Sequence, residues 1–309
     1  MENKKLPENL SGVHIHFVGI KGTGMAALVE IFYHNGSIIT GSDVSEKFYT
    51  DEILSQLKII PTVFSEDNIT KDIQYVVYSS AYKIDKNPEL IKAVELKIPC
   101  LLYSEALGQY SNLAYSCGVC GVHGKTSTTG LAGTILSELD LPSQVLAGSV
   151  INSFGGKCTY TSKNFAESAS KKNSYFVAET CEYQRHFMSF CPQKIILTSV
   201  ESDHQDYYPH YEDIRDAFVD YICKLPKNGD LIYCIDDKGC VDTVNELKKH
   251  RDDINLIPYG FTAFGDYRIS ELKLENEKQS FNISCLGNAE LSVPGKHEVL
   301  DSVAAVALI

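Results

Sequence analysis

No apolar run among the 309 residues approaches the ~20 needed to cross a bilayer as a helix. The first ten residues, Met1 to Leu10, are polar and lack a signal-peptide pattern, so a cytoplasmic protein is expected. Basic residues are also scarce. Lys and Arg number 28 against 40 Asp and Glu, giving a formal net charge of -12. That deficit argues against a general nucleic-acid or anionic-membrane surface. It leaves small anionic ligands open, because loops, helix ends and Mg²⁺ create local positive potential. The ten cysteines include a Cys117-x-x-Cys120 pair, but no second ligand pair at zinc spacing accompanies it. Buried or strand-edge free thiols in a reducing compartment are the expectation. No internal repeat or low-complexity tract stands out.

What is present is an ordinary globular composition, 44% hydrophobic and 22% charged, at a length that suggests about two domains. The most informative stretch is Gly121-Val-His-Gly-Lys-Thr-Ser127. It lies between an apolar run, Leu113 to Val119, and a helical pattern, Thr128 to Leu139. Strand, glycine turn, Lys-Thr and helix make a phosphate-binding loop. Glycines let backbone N–H groups approach phosphate oxygens, and the helix N-terminus adds partial positive charge. In such a loop Lys125 reaches the β- and γ-phosphates and the Thr126 hydroxyl ligates Mg²⁺. The common eight-residue form needs glycine at position 119, which is Val119, so the loop is the shorter G-x-x-G-K-T.

The first segment, residues 1–110, alternates strand and helix. Val13 to Val18, Ser37 to Thr40, Gln74 to Tyr78 and Ile98 to Leu102 read as strands. Met25 to His34, Asp51 to Leu57 and Pro88 to Leu96 read as helices. Such alternation implies an open parallel sheet, on which ligands bind at the carboxyl ends of the strands. Gly22, Ser42, Asp43, Ser79 and Ser80 fall at those ends. The second segment, 111–309, carries the phosphate loop, strands at Tyr175 to Ala178, Lys194 to Thr198 and Asp230 to Ile235, and a helix at Ile214 to Leu225. Ser162 to Ser174 reads as a loop or frayed helix. From Tyr267 to Val293 the alternation suggests a small antiparallel patch, with turns at Asn276–Glu277 and Gly287–Asn288. Glu298 to Ile309 reads as a helix. The fold class is α/β throughout: a Rossmann-like domain, then a P-loop-type ATPase domain.

Two further constellations carry chemistry. Gly22-x-Gly24-x-x-Ala27, with Asp43 downstream, fits a dinucleotide fingerprint, so an NAD-dependent oxidoreductase competes with other diphosphate binders. Glu179 and Glu182 follow one strand end, and Asp203, His204 and Asp206 follow another. Carboxylates at strand ends beside a phosphate loop commonly complete a Mg²⁺ shell.

The chain resembles the Mur ligases of peptidoglycan synthesis. The motifs are His16-Phe-Val-Gly-Ile-Lys-Gly-Thr-Gly-Met25, Gly41-Ser-Asp43, Ser79-Ser-Ala81, the phosphate loop, Ala178-Glu-Thr-Cys-Glu-Tyr183, Val200-Glu-Ser-Asp-His-Gln-Asp206 and Pro294-Gly-Lys-His297. The resemblance implies a first domain that binds the UDP part of UDP-N-acetylmuramate through Gly22, Thr23, Gly24, Met25, Ser42, Asp43, Ser79 and Ser80. It implies a second domain that binds ATP through Gly121, Val122, His123, Gly124, Lys125, Thr126 and Ser127. Thr126, Glu179 and His204 become the Mg²⁺ ligands, and Lys125, Glu179 and His204 the catalytic set. The implied reaction joins L-alanine to the sugar-nucleotide carboxylate through an acyl phosphate, with no nucleic-acid or membrane partner. An inactive UDP-muramyl binder and the related tripeptide ligase are the alternatives within this resemblance. Departures from the family pattern are Glu298 and Asp301 where it shows Asn, Ser199 for another Asn, and Leu102 and Tyr103 for basic residues. The family's C-terminal third domain is expected to be missing from the chain.

Overall fold

The computed structural model describes residues 5–167, 171–275 and 278–309. They divide into two compact units: the chain up to Leu113 together with Leu146–Tyr160, and Ala114–Val145 together with Thr161–Ile309.

The first unit is built on four parallel strands, β1 (His14–Val18), β2 (Ile38–Ser42), β3 (Tyr75–Tyr78) and β4 (Cys100–Leu102), in the order β2-β1-β3-β4. Four helices accompany them: α1 (Thr23–His34), α2 (Thr50–Gln56), α3 (Pro88–Glu95) and α4 (Tyr103–Ser111). Ile15, Phe17, Val18, Val76 and Val77 are fully buried, as expected for strands covered on both faces. Helix α3 starts where sequence chemistry dictates. Asn87 accepts from the Glu89 and Leu90 amides at 2.9 and 3.2 Å, and Pro88 fills the first turn, where its missing N–H costs nothing.

A polar cluster sits inside this apolar frame. The Glu89 carboxylate is buried and accepts from the Ser42 hydroxyl and from Asn68 Nδ2 at 2.6 Å, with His16 Nε2 at 3.6 Å. Glu89 thus ties α3 to the end of β2 and to the 65–68 turn. A second buried carboxylate, Glu30 of α1, accepts from Lys157 Nζ at 2.7 Å and from the Thr159 hydroxyl.

The second unit starts with β5 (Tyr115–Cys120) and α5 (Lys125–Glu138). Next in chain order come β6 (Ser143–Ile151) and β7 (Lys157–Thr161), whose residues 146–160 group with the first unit, then α6 (Lys163–Glu167), β8 (Tyr175–Glu179), β9 (Lys194–Leu197), α7 (Tyr211–Ile222), β10 (Asp230–Cys234), α8 (Lys238–Leu247) and β11 (Asn255–Tyr259). The chain finishes with β12 (Ile269–Glu275), β13 (Lys278–Ile283), β14 (Gly287–Leu291) and α9 (Lys296–Leu308). The large sheet runs β11-β10-β9-β5-β8-β6-β7, with β11 to β8 parallel; β12, β13 and β14 form a separate antiparallel sheet. Helix α9 lies against α5, β10 and β11. The aromatic core includes Phe187 stacked on Tyr221 at 4.4 Å between ring centres.

The α/β architecture, the parallel sheets and the small antiparallel patch agree with the sequence reading. The differences are local. Helix α5 starts at Lys125, not Thr128, because Gly124 in the left-handed region feeds the loop straight into the first turn. Helix α7 starts at Tyr211, where the Asp213 carboxylate accepts from the His210 amide at 2.9 Å. The second turn of the antiparallel patch falls at 284–286, with Gly287 opening β14, while the turn expected at Asn276–Glu277 lies outside the described residues. Residues 163–167 and 171–173 are short helical turns, and 168–170 lie outside the description. No helix of the described residues is long and apolar enough to cross a membrane.

Burial pushes the Glu89 carboxyl up, but the His16 imidazole and the bonds from Asn68 and Ser42 outweigh it and hold it below the usual range. A depressed folded pKa gives stability that is present above the unfolded value and lost as pH falls through the folded one. Glu89→Ala is therefore expected to cost on the order of 3 kcal/mol near neutrality, since it strands buried donors. Urea denaturation should show that gap narrowing below about pH 4; a gap independent of pH would refute the role of the ionised carboxylate.

Candidate active site

The end of β5 carries the glycine turn. Gly121 has φ +135° and Gly124 φ +79°, and both positions are crowded. A Cβ on Gly121 would meet Thr198 Oγ1 at 2.1 Å, and one on Gly124 would meet Asp301 Oδ1 at 2.6 Å. No other residue type fits either position without displacing backbone or a buried carboxyl. The turn is fastened to the segment after β9. Ser199 accepts the Val122 amide on its carbonyl at 3.0 Å and the His123 amide on its hydroxyl at 2.9 Å, while Thr198 Oγ1 donates to the His123 carbonyl at 2.5 Å. Ser199, where the resemblance expects Asn, thus shapes the loop from outside.

Three strand ends then converge. Lys125 Nζ donates to the Gly121 carbonyl at 2.5 Å and to both Glu182 oxygens at 3.2 Å. The Thr126 hydroxyl donates to Glu179 Oε2 at 2.8 Å. His204 Nε2 lies 3.6 Å from Glu182 Oε1 and 3.7 Å from Asp203 Oδ2. The expected metal ligands therefore fall into two groups: Thr126 with Glu179, and His204 with Glu182 and Asp203. In the second group one ligand atom from each residue lies within 4.8 Å of the others. These donors are carboxylates, a hydroxyl and one imidazole, an oxygen-rich set that suits Mg²⁺. The Tyr183 ring stands 4.6 Å from the His204 ring and its hydroxyl donates to Asp206 Oδ2 at 2.9 Å. Gln184, Arg185 and His204 all have φ between 50° and 58°. Left-handed non-glycine backbone costs free energy and concentrates at functional sites.

In the first unit the expected residues also meet at strand ends, but their tasks differ. Asp43 accepts from the Lys21 amide at 2.7 Å, from the Val44 amide at 2.8 Å and from Tyr82 Oη at 3.2 Å, so it braces the glycine turn. Ser42 is fully buried and gives its hydroxyl to Glu89, and Met25 is buried under the turn. Gly22 caps α1 and Gly24 lies in its first turn, where the Thr23 hydroxyl meets Tyr49 Oη at 2.6 Å. Ser79 Oγ accepts the Ala81 amide at 3.3 Å, and Ser80 is exposed.

A family model described as Mur ligase family, catalytic domain, matches residues 14–115, and one described as Mur ligase middle domain matches residues 119–309. The chain belongs to the Mur ligase family. It is 43% identical over 310 residues to a UDP-N-acetylmuramate–L-alanine ligase of Treponema pallidum, an alignment that takes in 100% of this chain and 63% of that protein. It is 39% identical to the enzyme of that name in Borreliella burgdorferi, over 95% of this chain and 61% of the relative. The chain thus spans less than two thirds of the length of these relatives. Among solved structures, a UDP-N-acetylmuramate-alanine ligase of Thermotoga maritima aligns with TM-score 0.73 at 26% identity, covering 96% of this chain and 64% of that one. The ligase of Neisseria meningitides for UDP-N-acetylmuramate and L-alanyl-gamma-D-glutamyl-meso-diaminopimelate shares the fold, with TM-score 0.81 at 20% identity over 96% and 93% of the two chains.

Two site residues of this Mur ligase chain escaped full weight in the sequence. Glu182 reads there as one strand-end carboxylate among several, yet it is buried and pairs with both Lys125 and His204. Asp301 reads as a departure from the family pattern. In the structure it lines a cleft of about 440 Å³ with His123, Gly124, Asp236, Tyr259 and Glu298. Burial pushes its carboxyl up to about 7 against the Thr128 hydroxyl, which lowers it, and the Glu298 charge adds to the rise. Cys117 and Cys120 are buried in β5, and burial raises both thiols, Cys117 to about 12, in line with unreactive core positions.

Removing Glu182 leaves the Lys125 ammonium, which is mostly buried, without its counter-charge. Glu182→Ala is expected to lower stability by about 3 kcal/mol in urea denaturation of the ligand-free protein. An unchanged midpoint would show that the pair is only a contact.

Proposed function

We propose that this chain is the sugar-nucleotide-binding and ATP-binding part of an ATP-dependent ligase that joins L-alanine to the carboxylate of UDP-N-acetylmuramate. The observation that carries this reading is the meeting, at one sheet edge, of the Lys125 ammonium, the Thr126–Glu179 pair and the Glu182–Asp203–His204 cluster. The names of the relatives supply the substrates. In the proposal, residues 1–110 hold the UDP moiety at the Gly22–Gly24 turn, with Ser79 and Ser80 at the neighbouring strand end, and residues 111–309 hold ATP. That reading puts the reaction among soluble nucleotide precursors, in the cytoplasm.

A carboxylate is a poor electrophile, so the substrate carboxyl is first phosphorylated and phosphate then leaves as the amine attacks. The residues contribute position and charge. Lys125 exchanges the Gly121 carbonyl and Glu182 for phosphate oxygens. The amides of Gly121 to Ser127 receive the phosphate chain at the α5 N-terminus. Thr126 and Glu179 would hold one Mg²⁺, and His204, with Glu182 and Asp203, would hold a second. When bound, Mg²⁺ neutralises the transferred phosphoryl group. Tyr183 and Asp206 fix the neighbourhood of the His204 ring.

Calorimetry tests the division of labour. Lys125→Ala should weaken MgATP binding roughly 10- to 100-fold, the loss of a charge-assisted contact, and leave affinity for UDP-N-acetylmuramate unchanged. Supplied with the C-terminal region of a relative, the chain should release ADP only when UDP-N-acetylmuramate and L-alanine are both present, and Lys125→Ala should abolish this. Equal loss of both affinities would overturn the assignment, as would binding of NADH without UDP.

A further inference from the structure

The cleft beside the phosphate loop is acidic, an unexpected property for a pocket that admits a nucleotide. We propose that Asp301 takes up a proton when a nucleoside triphosphate binds, so that the neutral carboxylic acid is the form that admits it. The inference rests on the reading of the Lys125 loop as a nucleotide site and adds a proton to its binding equation.

The geometry is specific. Asp301 lies in the second turn of α9, which packs on α5, and its Oδ1 occupies the space that a Cβ on Gly124 would need. It therefore sits under the last residue of the loop, against the backbone that would carry phosphate. The residue is 6% exposed, so water does little to screen its carboxyl. The charged and titratable groups around it are mostly of the wrong sign to help. Glu298 and His297 share its helix, Asp236, Asp237 and Cys234 come from the end of β10, Tyr259 from β11 and His123 from the loop. Asp236 and Asp237 are committed to backbone. Asp236 accepts from the Phe261 and Thr262 amides, and Asp237 accepts from the Val200 and Cys240 amides. Lys125, the one cation at the head of α5, turns toward Gly121 and Glu182 instead.

The Thr128 hydroxyl of α5 and the His297 charge favour the ionised form, but burial outweighs them, so an ionised Asp301 would be an incompletely compensated charge facing an anionic ligand. Its carboxyl already titrates near neutrality, at about 7. A bound triphosphate raises that value further, because like charge disfavours ionisation. The acid form also recovers part of what the family's amide offers at this position, a donor beside an acceptor. The sign follows from linkage. Affinity is at its full value below the free-protein pKa and falls as pH rises above it, until the higher value in the complex is passed.

The test is calorimetric titration of the 309-residue chain with MgATP, with Mg²⁺ in excess so that the triphosphate stays ionised, in buffers of different ionisation heat. Wild type should take up close to one proton near pH 8 and lose affinity by about tenfold per pH unit above pH ~7. Asp301→Asn, and Asp301→Ser as a second variant, should abolish both the uptake and the slope, and at about pH 8.5 should bind tenfold or more tightly than wild type. His123→Gln and His297→Gln should keep the slope. The proposal falls if wild type binds equally well at about pH 6.5 and 8.5 while Lys125→Ala still destroys binding, if the Asp301 variants keep the slope, or if a histidine variant loses it. Failure of the chain to bind MgATP at any pH, with Lys125→Ala indistinguishable from wild type, would remove the nucleotide reading itself and the proposal with it.

Discussion

Strand β5 runs between β8 and β9, and its register with both decides where the chemistry can occur. Val119 stands opposite Glu179, and Cys120 opposite Leu197. All three strands are parallel, so all three chains leave the sheet at one edge and within a residue or two of the same level. Gly121 follows β5 at that level, Glu179 ends β8, and Thr198 and Ser199 follow β9. A slip of one residue would send Glu179 to the opposite face of the sheet. The buried side chains of these strands, Val119, Val177, Ile195 and Ile196 among them, hold that register. Carboxylates, ammonium and imidazole meet because apolar packing in the sheet leaves their carriers no other alignment.

Charge then decides which contacts form there. Lys125 spends its three donors on two loop carbonyls and the Glu182 carboxylate, and Thr126 spends its hydroxyl on Glu179. On the proposed ATP reading, the protein's own carboxylates and carbonyls already supply the negative charge that phosphate oxygens would bring to Lys125. An incoming triphosphate would then exchange these contacts, and its net gain would be smaller than the number of new bonds suggests. This is also how a chain of net charge -12 can keep a cation ready: the acid surplus is in part the set of groups that hold the ammonium and would hold metal.

Much of this is legible in the sequence because the central strands are short apolar runs that stop at glycine or a carboxylate. The phosphate loop, the strand ends at Glu179 and the 198–204 segment, and the glycine turn at Gly22 follow from that pattern. The outer elements do not. Strand β6 opens with Ser143 and Gln144, both fully buried, so polarity hides it. Strand β11 contains Pro258, which argues against an interior strand, but β11 is the edge of its sheet, where a missing N–H is tolerated. Helix α8 begins Lys238-Gly239-Cys240 after an Asp237 cap, a start that reads as a turn. Within the site, the identities were visible and the burial was not. Glu182 and Asp301 acquire their character from contacts 57 residues away to Lys125 and from a helix laid over Gly124, and no local pattern encodes either.

The course of the backbone between the units has a consequence for how such a protein can be divided. Residues 146–160 belong with the first unit although residues on both sides belong with the second, so the polypeptide changes allegiance three times. Lys157 and Thr159, carried on that excursion, are the partners of Glu30. A single cut near Leu113, whether by a protease, a cloning primer or a recombination event, would release a fragment whose buried Glu30 has lost both. Grafting the first half onto a foreign scaffold therefore requires the 146–160 segment to travel with Glu30.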